Sequence, residues 1–471
     1  MTSHPTDGPT RAQGPPGPVR HLFGTDGIRG VVNRSPMTAQ VAMALGRALT
    51  YLIGVEKSLK RHPKVVIGQD TRLSGPMLAS SVAAGVMGQG GDVFLADVLP
   101  TPGLANLTAS TRADAGLVIS ASHNPYEDNG LKIFDGQGYK LSDEIEARLE
   151  AAMADPALLD RHLVEPSKVG RSYRIDDAVG RYVVSLKATF PKTMDLEGLT
   201  IVLDCANGAA HKSAPAVFEE LGAKVHVLAN SPDGFNINLD CGSLHPGLCA
   251  REVVARSADL GVALDGDADR AVFIDHRGEV VDGDQIMFLC AAHFKRFGSL
   301  ANDAVATTVM SNMGLEIALG KEGIKLWRTN VGDRYVAECL RREGLNFGGE
   351  KSGHLIFLDH ATTGDGTLAA LQTLAVMKSA GRPLRELASL ITLFPQVLVN
   401  VPAANPSKAR SSPEIDSLVA AARRKLGDRG RILLRPSGTE PMVRVMVEGE
   451  DLAEIDALAR ECAERVSKFL A

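Results

Sequence analysis

Short apolar runs recur along the chain, and each ends in a glycine or a small polar residue. Clear examples are KVVIG at Lys64–Gly68, GLVIS at Gly116–Ser120 and LTIVLD at Leu199–Asp204. Two intervening stretches, Thr38–Leu52 and Ala214–Leu221, instead carry apolar residues at helical spacing. Alternation of short buried strands with helices predicts α/β units with mostly parallel sheets. Ligands bind such sheets at the carboxyl ends of the strands, where these polar residues fall.

Changes in this pattern divide the chain into segments. A polar, weakly patterned stretch at Leu158–Tyr173 marks one boundary, a second follows Asp265–Arg270, and a third lies near Gly381–Pro383. The last segment has the character of a small α+β domain. A chain of 471 residues is long enough for several domains at about 150 residues each. We therefore expect a flexible tail at residues 1–20, domain 1 at 21–165, domain 2 at 166–272, domain 3 at 273–385 and domain 4 at 386–471.

Composition and charge exclude several classes of protein. Apolar residues make up 44% of the chain and the net charge is −5, so the chain can bury cores and has no basic field for nucleic acid. No apolar run approaches the ~20 residues of a membrane helix, and the tail lacks the apolar region of a signal peptide. The six cysteines include no C-x-x-C pair, which is typical of buried thiols in a reducing compartment. We expect a cytoplasmic protein without nucleic-acid or membrane partners.

A run of alternating carboxylates, DGDADR, follows the apolar run that begins at Gly261. In an extended loop the side chains of Asp265, Asp267 and Asp269 can converge. Such like charges repel unless a cation neutralises them, and oxygen ligands suit Mg²⁺ or Ca²⁺. An EF-hand loop is excluded, because Arg270 and His276 stand where Gly and Glu would be required. The alternative is a solvated acidic turn.

The segment VISASHNPYEDNGLKIF, which starts at Val118, places polar residues at the end of a strand. Ser122 could serve as a nucleophile or a phosphate carrier, and His123 is next to it. Lys132 could reach back as an acid/base group or a phosphate partner. Taken singly, a loop serine is more often a capping residue, and a lone lysine is more often solvated.

Two further segments have the composition of anion-binding loops. FGTDGIRG at Phe23–Gly30 combines spaced glycines with Arg29, which permits close approach of the backbone to an anion. RPSGTEP at Arg435–Pro441 is typical of a phosphate cradle with a bidentate arginine, although an ordinary turn is an equal alternative. The cradle residues are Arg435, Ser437, Gly438 and Thr439.

GGEKSGH, at Gly348–His354, has a composition that suits a sugar. Glu350, Ser352 and His354 alternate, so they could share a face and hydrogen-bond to vicinal hydroxyls. The alternative is a loop whose polar groups satisfy one another. Because no P-loop motif occurs in the chain, the phosphate donor of a phosphoryl-transfer reaction would be the enzyme or the substrate.

Taken together and in this order, the five segments resemble the α-D-phosphohexomutase superfamily, and within it the branch that acts on glucosamine phosphates. The similarity runs from about Leu22 to the C-terminus, and VGDRYV at Val331–Val336 and TTGDG at Thr362–Gly366 also match that branch. The resemblance implies four domains around a central cleft. Three would be similar α/β domains with mixed or parallel sheets, and the smaller C-terminal domain would be α+β.

The resemblance also implies roles for individual residues. Ser122 would be phosphorylated in the active enzyme, and one Mg²⁺ per subunit would be held by Ser122, Asp265, Asp267 and Asp269. Arg29, His123 and Lys132 would lie near the phosphoserine, and Arg270 beside the metal loop. The sugar would be held by Glu350, Ser352, His354, Gly332 and Asp333. Its existing phosphate would be held by Arg435, Ser437, Gly438 and Thr439.

The activity implied is interconversion of glucosamine 6-phosphate and glucosamine 1-phosphate through a bisphosphorylated sugar, in the amino-sugar nucleotide pathway to cell-wall precursors. A homodimer is compatible with it. One departure is Lys351, where this branch usually has Gln. Three alternatives stay open: a glucose or mannose phosphomutase, an aspartyl phosphatase with Asp265 as nucleophile, and a non-catalytic sugar-phosphate binding protein.

Overall fold

Three α/β units in chain order, followed by a smaller α+β unit, make up the architecture. The alternating pattern of strands and helices is therefore confirmed as an α/β fold. No helix in the described part of the chain is long and apolar enough to cross a lipid bilayer. The expected tail at residues 1–20 lies outside the described residues. The computed structural model describes residues 21–24, 26–403, 405–410, 412–436 and 441–470.

The first unit is a mixed sheet flanked by helices. Its strands are β1 (Phe23–Gly24), β2 (Gly27–Val31), β3 (Lys64–Gln69), β4 (Asp92–Val98), β5 (Ala115–Ile119), β6 (Asp128–Asp135) and β7 (Ser172–Arg174). Their order is β1-β2-β6-β5-β3-β4-β7, parallel from β5 to β7 and antiparallel elsewhere. β7 follows the boundary expected at residue 165, yet it pairs with β4. The helices are α1 (Ala39–Lys57), α2 (Gly75–Gly88), α3 (Thr101–Ser110), α4 (Asp143–Met153) and α5 (Pro156–Arg161).

The second unit has a sheet of order β12-β11-β10-β8-β9. Strands β8 (Thr200–Asp204), β9 (Lys224–Leu228) and β10 (Leu260–Leu264) are parallel, and β11 (Ala271–Asp275) and β12 (Val280–Val281) continue the sheet as antiparallel strands. β10 is buried along its whole length and delivers the DGDADR run at its carboxyl end. The helices are α6 (Ala178–Lys187), α7 (Ser213–Glu220) and α8 (Gly247–Ala255).

The third unit has a sheet of order β14-β13-β15-β16, in which only the β15–β16 pair is antiparallel among the described strands. The strands are β13 (Ala304–Thr308), β14 (Lys325–Thr329), β15 (Phe347–Gly349) and β16 (Leu355–Phe357). The helices are α9 (Gly283–Arg296), α10 (Met313–Lys321), α11 (Asp333–Glu343), α12 (Gly366–Ala380) and α13 (Leu384–Ala388). α9 begins with a capping box in which Asp282 and Gln285 satisfy each other's backbone N–H groups.

The C-terminal unit is an antiparallel sheet covered by two long helices. Its strands, in the order β17-β19-β18, are β17 (Gln396–Pro402), β18 (Gly430–Pro436) and β19 (Met442–Gly449), and its helices are α14 (Pro413–Leu426) and α15 (Leu452–Leu470). Short 3₁₀ turns occur here and elsewhere, at Pro166–Lys168, Ala301–Asp303, Pro406–Arg410 and Gly427–Arg429.

The hydrophobic cores separate the C-terminal unit from the rest of the molecule. One buried cluster runs continuously through the first three units, from Val66 to Ile391. The C-terminal unit instead has its own cluster, between Val401 and Val466. A unit with its own core is able to move relative to its neighbours unless a large apolar interface holds it.

Candidate active site

The site begins where β5 and β10 end. In the loop after β5, the Ser122 backbone has a left-handed φ of 54°, an energetically costly conformation for a residue with a side chain. Its N–H donates to Ser120 Oγ at 3.0 Å, and its hydroxyl donates to Asp265 Oδ2 at 2.5 Å. His123 Nδ1 lies 3.2 Å from the same hydroxyl oxygen. The buried serine therefore faces the carboxylate loop that follows β10.

The two loops approach each other closely at Gly266. A Cβ at this position would lie 2.6 Å from the Ser122 carbonyl oxygen, and 2.8 Å from the Asn238 side chain. The same carbonyl oxygen accepts hydrogen bonds from Asn238 Nδ2 at 2.9 Å and from the Arg72 guanidinium at 3.1 Å. The absence of a side chain at Gly266 thus allows the serine loop to rest on the carboxylate loop.

Asp265, Asp267 and Asp269 converge as expected. Each is at most 3% exposed, and one carboxylate oxygen from each lies within 4.8 Å of the others. In the described structure, Asp267 Oδ1 and Asp269 Oδ1 are buried without a hydrogen-bond partner. Unpaired buried carboxylate oxygens carry a large desolvation cost, which a bound cation would offset. The donor set is all oxygen, so it fits a hard divalent cation such as Mg²⁺.

The three carboxyl groups have different proton affinities. Burial and the charges of Asp269 and Asp267 raise the pKa of Asp265 well above its ordinary value. Burial also opposes ionisation of Asp267, but the charge and hydrogen bond of Lys132 outweigh it and lower the pKa of Asp267. Repulsion among the three carboxylates therefore disfavours mainly the ionisation of Asp265.

The basic residues expected near the serine are also there. Lys132 is buried, with Nζ 2.8 Å from Asp267 Oδ2 and 3.0 Å from Asp26 Oδ2. Burial alone would lower its pKa, but these carboxylates raise it, so the amine stays charged. Arg29 donates to the Ala121 carbonyl oxygen at 3.4 Å and to Asp26.

His123 and Arg270 complete the basic surroundings. Burial, with the charges of Arg270 and Arg29, lowers the pKa of His123 to about 4, so this ring is neutral near pH 7. The backbone N–H of Arg270 donates to Asp265 Oδ1 at 3.1 Å. Burial opposes the charge on Arg270, but Asp269 and Asp265 outweigh it and raise its pKa.

Three residues of the site were missed by the sequence reasoning. Thr101, at the start of α3, donates its hydroxyl to Asp267 Oδ2 at 2.6 Å. Asp26 lies inside the quoted FGTDGIRG segment, which could have pointed to it. Lys140 has no local signal of this kind: it follows a turn after β6, yet it is 10% exposed and binds both Asp26 and Asp333.

These groups close a charge ring, which we define as Asp26, Lys132, Asp269, His354, Asp333 and Lys140. Lys132 Nζ lies 3.8 Å from Asp269, His354 Nε2 lies 4.0 Å from Asp269 and 3.5 Å from Asp333, and Lys140 bridges Asp333 and Asp26. Burial opposes ionisation of Asp333, but Lys140 and His354 outweigh it and lower its pKa to about 2. The ring connects the first, second and third units around the carboxylate cluster.

The GGEKSGH segment forms a hairpin between β15 and β16. A turn closed by the Gly353 N–H and the Glu350 carbonyl oxygen interrupts the strand, so the expected alternation on one face is not observed. Glu350 is half-buried and accepts the Gly332 N–H at 3.1 Å, whereas Ser352 is exposed. In the described structure, neither ring nitrogen of the buried His354 has a hydrogen-bond partner. Glu350, Gly332, Asp333 and His354 are thus brought together.

The side chain of Lys351 leads away from this group. Its Nζ donates to Gln396 Oε1 of the C-terminal unit at 3.1 Å and lies 3.8 Å from Asp282. A cation at this position could repel an aminosugar unless the side chain points away or contacts phosphate. The contact with Gln396 directs the Lys351 side chain towards the C-terminal unit and away from Glu350, Gly332, Asp333 and His354.

Of the expected phosphate cradle, Arg435 ends β18 and is half-buried, with Arg444 directly opposite on β19. Burial and the neighbouring charge of Arg444 lower the pKa of Arg435, while Glu350 raises it. The carboxylate of the sugar loop therefore lies within electrostatic range of Arg435. Ser437, Gly438 and Thr439 lie outside the described residues.

Comparison with known families identifies the class of protein. The chain matches the phosphoglucomutase/phosphomannomutase models for α/β/α domain I at residues 20–158, domain II at 180–278, domain III at 282–394 and the C-terminal domain at 398–465. With the serine and carboxylate loops in place, these matches show that the chain belongs to the phosphohexomutases of this family.

Curated relatives define the branch. The chain is 55% identical to phosphoglucosamine mutase of Myxococcus xanthus (strain DK1622), over 95% of this chain and 97% of the relative. It is 54% identical to phosphoglucosamine mutase of Citrifermentans bemidjiense, over 96% of this chain and 99% of that one. The resemblance found in the sequence motifs is therefore confirmed, and the chain is a member of the phosphoglucosamine mutase branch.

Solved structures agree on the fold. A phosphoglucomutase/phosphomannomutase family protein from Burkholderia thailandensis superimposes with a TM-score of 0.79 at 23% identity, covering 95% of this chain and 97% of that chain. N-acetylphosphoglucosamine mutase of Aspergillus fumigatus, solved with GlcNAc-6P and magnesium, gives a TM-score of 0.68 at 18% identity, covering 96% of both chains. At these identities the likeness supports the four-domain architecture alone.

Proposed function

We propose that the chain interconverts glucosamine 6-phosphate and glucosamine 1-phosphate, with Ser122 as the phosphate carrier. The observation that carries the proposal is the placement of the Ser122 hydroxyl 2.5 Å from Asp265, in a buried cluster of acidic and basic groups. Membership of the phosphoglucosamine mutase branch supports the choice of sugar.

The reaction consists of two balanced phosphoryl transfers. In the first, the bond between phosphorus and Ser122 Oγ breaks, and a bond forms between phosphorus and the oxygen of a free sugar hydroxyl. The proton of that hydroxyl ends on Ser122 Oγ. The product is a sugar bisphosphate. After it turns over in the cleft, its other phosphoryl group returns to Ser122, and a proton moves back to the sugar oxygen. Phosphoryl transfer depends mainly on alignment and charge neutralisation, which suits a site rich in fixed charges.

The residues of the site divide by position. Asp265, Asp267 and Asp269, with Ser122, would hold one Mg²⁺ per subunit, and the ion when bound would offset negative charge on the transferring phosphoryl group. Arg29 and Lys132, held by Asp26, keep cationic groups beside the serine. His123 lies within hydrogen-bond distance of the Ser122 hydroxyl, and Arg270 fixes Asp265 through its backbone.

The sugar and its second phosphate would be held on the third and C-terminal units. We assign the sugar to Glu350, Ser352, His354, Gly332 and Asp333, supported by the two ring nitrogens of His354, which have no hydrogen-bond partner among the described residues. We assign the second phosphate to Arg435, with Ser437, Gly438 and Thr439. Because the bisphosphate must present either end, a cradle on a separate unit from Ser122 matches the reaction. Closure of that unit would exclude water from the phosphoserine.

A four-domain, cytoplasmic enzyme without nucleic-acid partners, which could be a homodimer, belongs to this proposal. The boundaries expected at 165/166, 272/273 and 385/386 fall before β7, within β11 and within α13, so each unit of the structure extends beyond its expected end. Buried free thiols support a reducing compartment. The cysteines concerned are Cys205, Cys241, Cys249, Cys290, Cys339 and Cys462.

The proposal is tested by comparing turnover of glucosamine, glucose and mannose 6-phosphates in the presence of Mg²⁺. We expect the aminosugar to be preferred, and Ser122→Ala to abolish turnover while Ser80→Ala, on the exposed side of α2, leaves it unchanged. Preference for glucose or mannose would contradict the assigned substrate. Full activity of Ser122→Ala would favour an aspartyl phosphatase, and binding without turnover by the phosphorylated protein would favour a binding protein.

A further inference from the structure

A buried carboxylate, Glu448, connects the C-terminal unit to the third unit. It is fully buried on the central strand β19, with Gln396 and Arg431 directly beside it on the two neighbouring strands. Its Oε2 accepts hydrogen bonds from Gln396 Nε2 at 3.0 Å and from the Arg431 guanidinium at 3.0 Å. Buried charges are stable only when paired and hydrogen-bonded in this way.

The other oxygen of the carboxylate reaches into the third unit. Glu448 Oε1 accepts the backbone N–H of Met313, the first residue of α10. A carboxylate at a helix N-terminus satisfies free N–H groups and is stabilised by the helix dipole. Beside it, Asn312 exchanges hydrogen bonds with the backbone of Phe394, at 2.9 and 3.0 Å. Glu448 therefore fixes the start of α10 to the C-terminal sheet.

Gln396 extends this contact to the sugar loop. Its amide nitrogen donates to Glu448, and its amide oxygen accepts from Lys351 Nζ at 3.1 Å. An uncharged amide can bridge a cation and a carboxylate because it offers one acceptor and one donor. Lys351 stands between Glu350 and Ser352 in the turn after β15. A polar chain, defined here as Lys351–Gln396–Glu448, thus runs from the sugar loop to the joint of the C-terminal unit.

The position of this chain matters because the C-terminal unit has its own hydrophobic core. Polar contacts at the joint then decide how its β18 end, which carries Arg435, is placed relative to Glu350. We propose that Lys351 is a positioning residue, which sets the distance between the sugar loop and the phosphate-holding unit through Gln396 and Glu448. This inference rests on the proposed function, since it assigns the two ends of one sugar phosphate to these two loops.

The test compares Lys351→Met with Lys351→Arg and with Lys468→Met, which removes the same charge from the exposed face of α15. Loss of the contact should raise the KM for glucosamine 6-phosphate about fivefold, with kcat changed less than about twofold, because positioning is lost before the chemical step. Lys351→Arg should restore KM to within about twofold, since it keeps a donor of similar reach. Lys468→Met should match the wild type.

A double-variant cycle tests the path of the effect. Gln396→Ala should raise KM at least as much as Lys351→Met, and adding Lys351→Met to it should change KM little further, because both remove one connected network. Additive effects of the two single variants would overturn the proposed path, as would a KM of Lys351→Met equal to that of Lys468→Met.

Amide hydrogen exchange gives a measurement independent of turnover. Exchange in β17 and in the first turn of α10 should quicken in Lys351→Met and stay unchanged in Lys468→Met. Equal exchange in the two variants would overturn the inference. If the wild type turned over no hexose phosphate, the proposed function would fail while the exchange comparison still decided whether the polar chain fixes the joint.

Discussion

At the scale of single residues, the site is organised by paired charges that lie far apart in sequence. Lys132 is buried and Lys140 is 10% exposed, and each is held by carboxylates from other parts of the chain. Burial opposes the charge on both lysines. Asp26 and Asp267 outweigh it and raise the pKa of Lys132, and Asp26 and Asp333 do the same for the pKa of Lys140. A buried cation is stable only with such partners. The same carboxylates keep positive charge beside Ser122, where a phosphoryl group would be neutralised.

Replacing Lys140 with Met tests the charge ring. The change leaves Asp26 and Asp333 facing each other without the cation between them, and breaking such a largely buried pair costs up to about 3 kcal/mol. We expect a lower Tm and a large loss of kcat/KM. The double variant Lys140→Met with Asp333→Asn should recover part of the Tm, because it removes the uncompensated carboxylate. Thermal unfolding of Lys140→Met indistinguishable from wild type would contradict this role.

At the scale of elements, catalytic groups come from loops at strand ends. The apolar runs beginning at Lys64, Gly116 and Gly261 are observed as β3, β5 and β10, because short buried runs bounded by turn residues have few other solutions. Ser122 and Asp265 both follow the carboxyl ends of strands, but β5 and β10 belong to different sheets, so their approach depends on how the first two units pack together. Lys140 could not be predicted, because its partners Asp26 and Asp333 are 114 and 193 residues away.

The turn at Gly353 also escaped prediction. Alternation of Glu350, Ser352 and His354 suggested an extended segment, but the Gly353 N–H bonds to the Glu350 carbonyl oxygen and closes a hairpin. Gly353 has a φ of 89°, which favours glycine and makes this turn available. The glycine was visible in the sequence, but whether it broke the strand depended on the pairing of β15 with β16.

Gly266→Ala tests the contact between the serine and carboxylate loops. The added Cβ would lie 2.6 Å from the Ser122 carbonyl oxygen, so the loops must separate, and a misplacement of this kind can cost roughly 100-fold in rate. We expect kcat to fall on that scale, with the protein still folded. Gly54→Ala, in α1 with open space around the position, should keep full activity. Similar kcat values for the two variants would show that close loop contact is not needed.

Asp365, the N-cap of α12, makes the free energy of unfolding depend on pH. Asp365 caps the helix and accepts the Tyr182 hydroxyl at 2.6 Å, and burial, with a contribution from Asp269, raises its pKa to about 6. A raised folded-state pKa means that stability is full below the unfolded-state value and falls as pH rises through 6. The loss is on the order of 2–3 kcal/mol.

Asp365→Asn removes this ionisable group while keeping a side chain that caps helices well. The Tm of the variant relative to wild type should therefore increase between pH 4 and pH 6 and level off above that range. Calorimetric scans across the pH range measure this difference. A difference in Tm that does not vary with pH would assign the stability of this joint to other groups.

At the scale of the whole molecule, three units share a continuous core, whereas the C-terminal unit folds around its own. The shared core holds the serine loop, the carboxylate loop and the sugar loop in fixed relation. Because the C-terminal unit has a separate core, the strand that carries Arg435 is joined to the third unit through polar contacts, among them the Lys351–Gln396–Glu448 chain. Such a design suits a reaction in which one sugar must enter, turn over and leave in either orientation.

Whether Ser122 carries the phosphate can be measured by peptide mass analysis of the protein after incubation with a hexose bisphosphate and Mg²⁺. We expect one phosphoryl group on the peptide containing Ser122, and its transfer to added glucosamine 6-phosphate. Phosphate found on Asp265, or an unmodified Ser122 in a protein that still turns over the sugar, would contradict it.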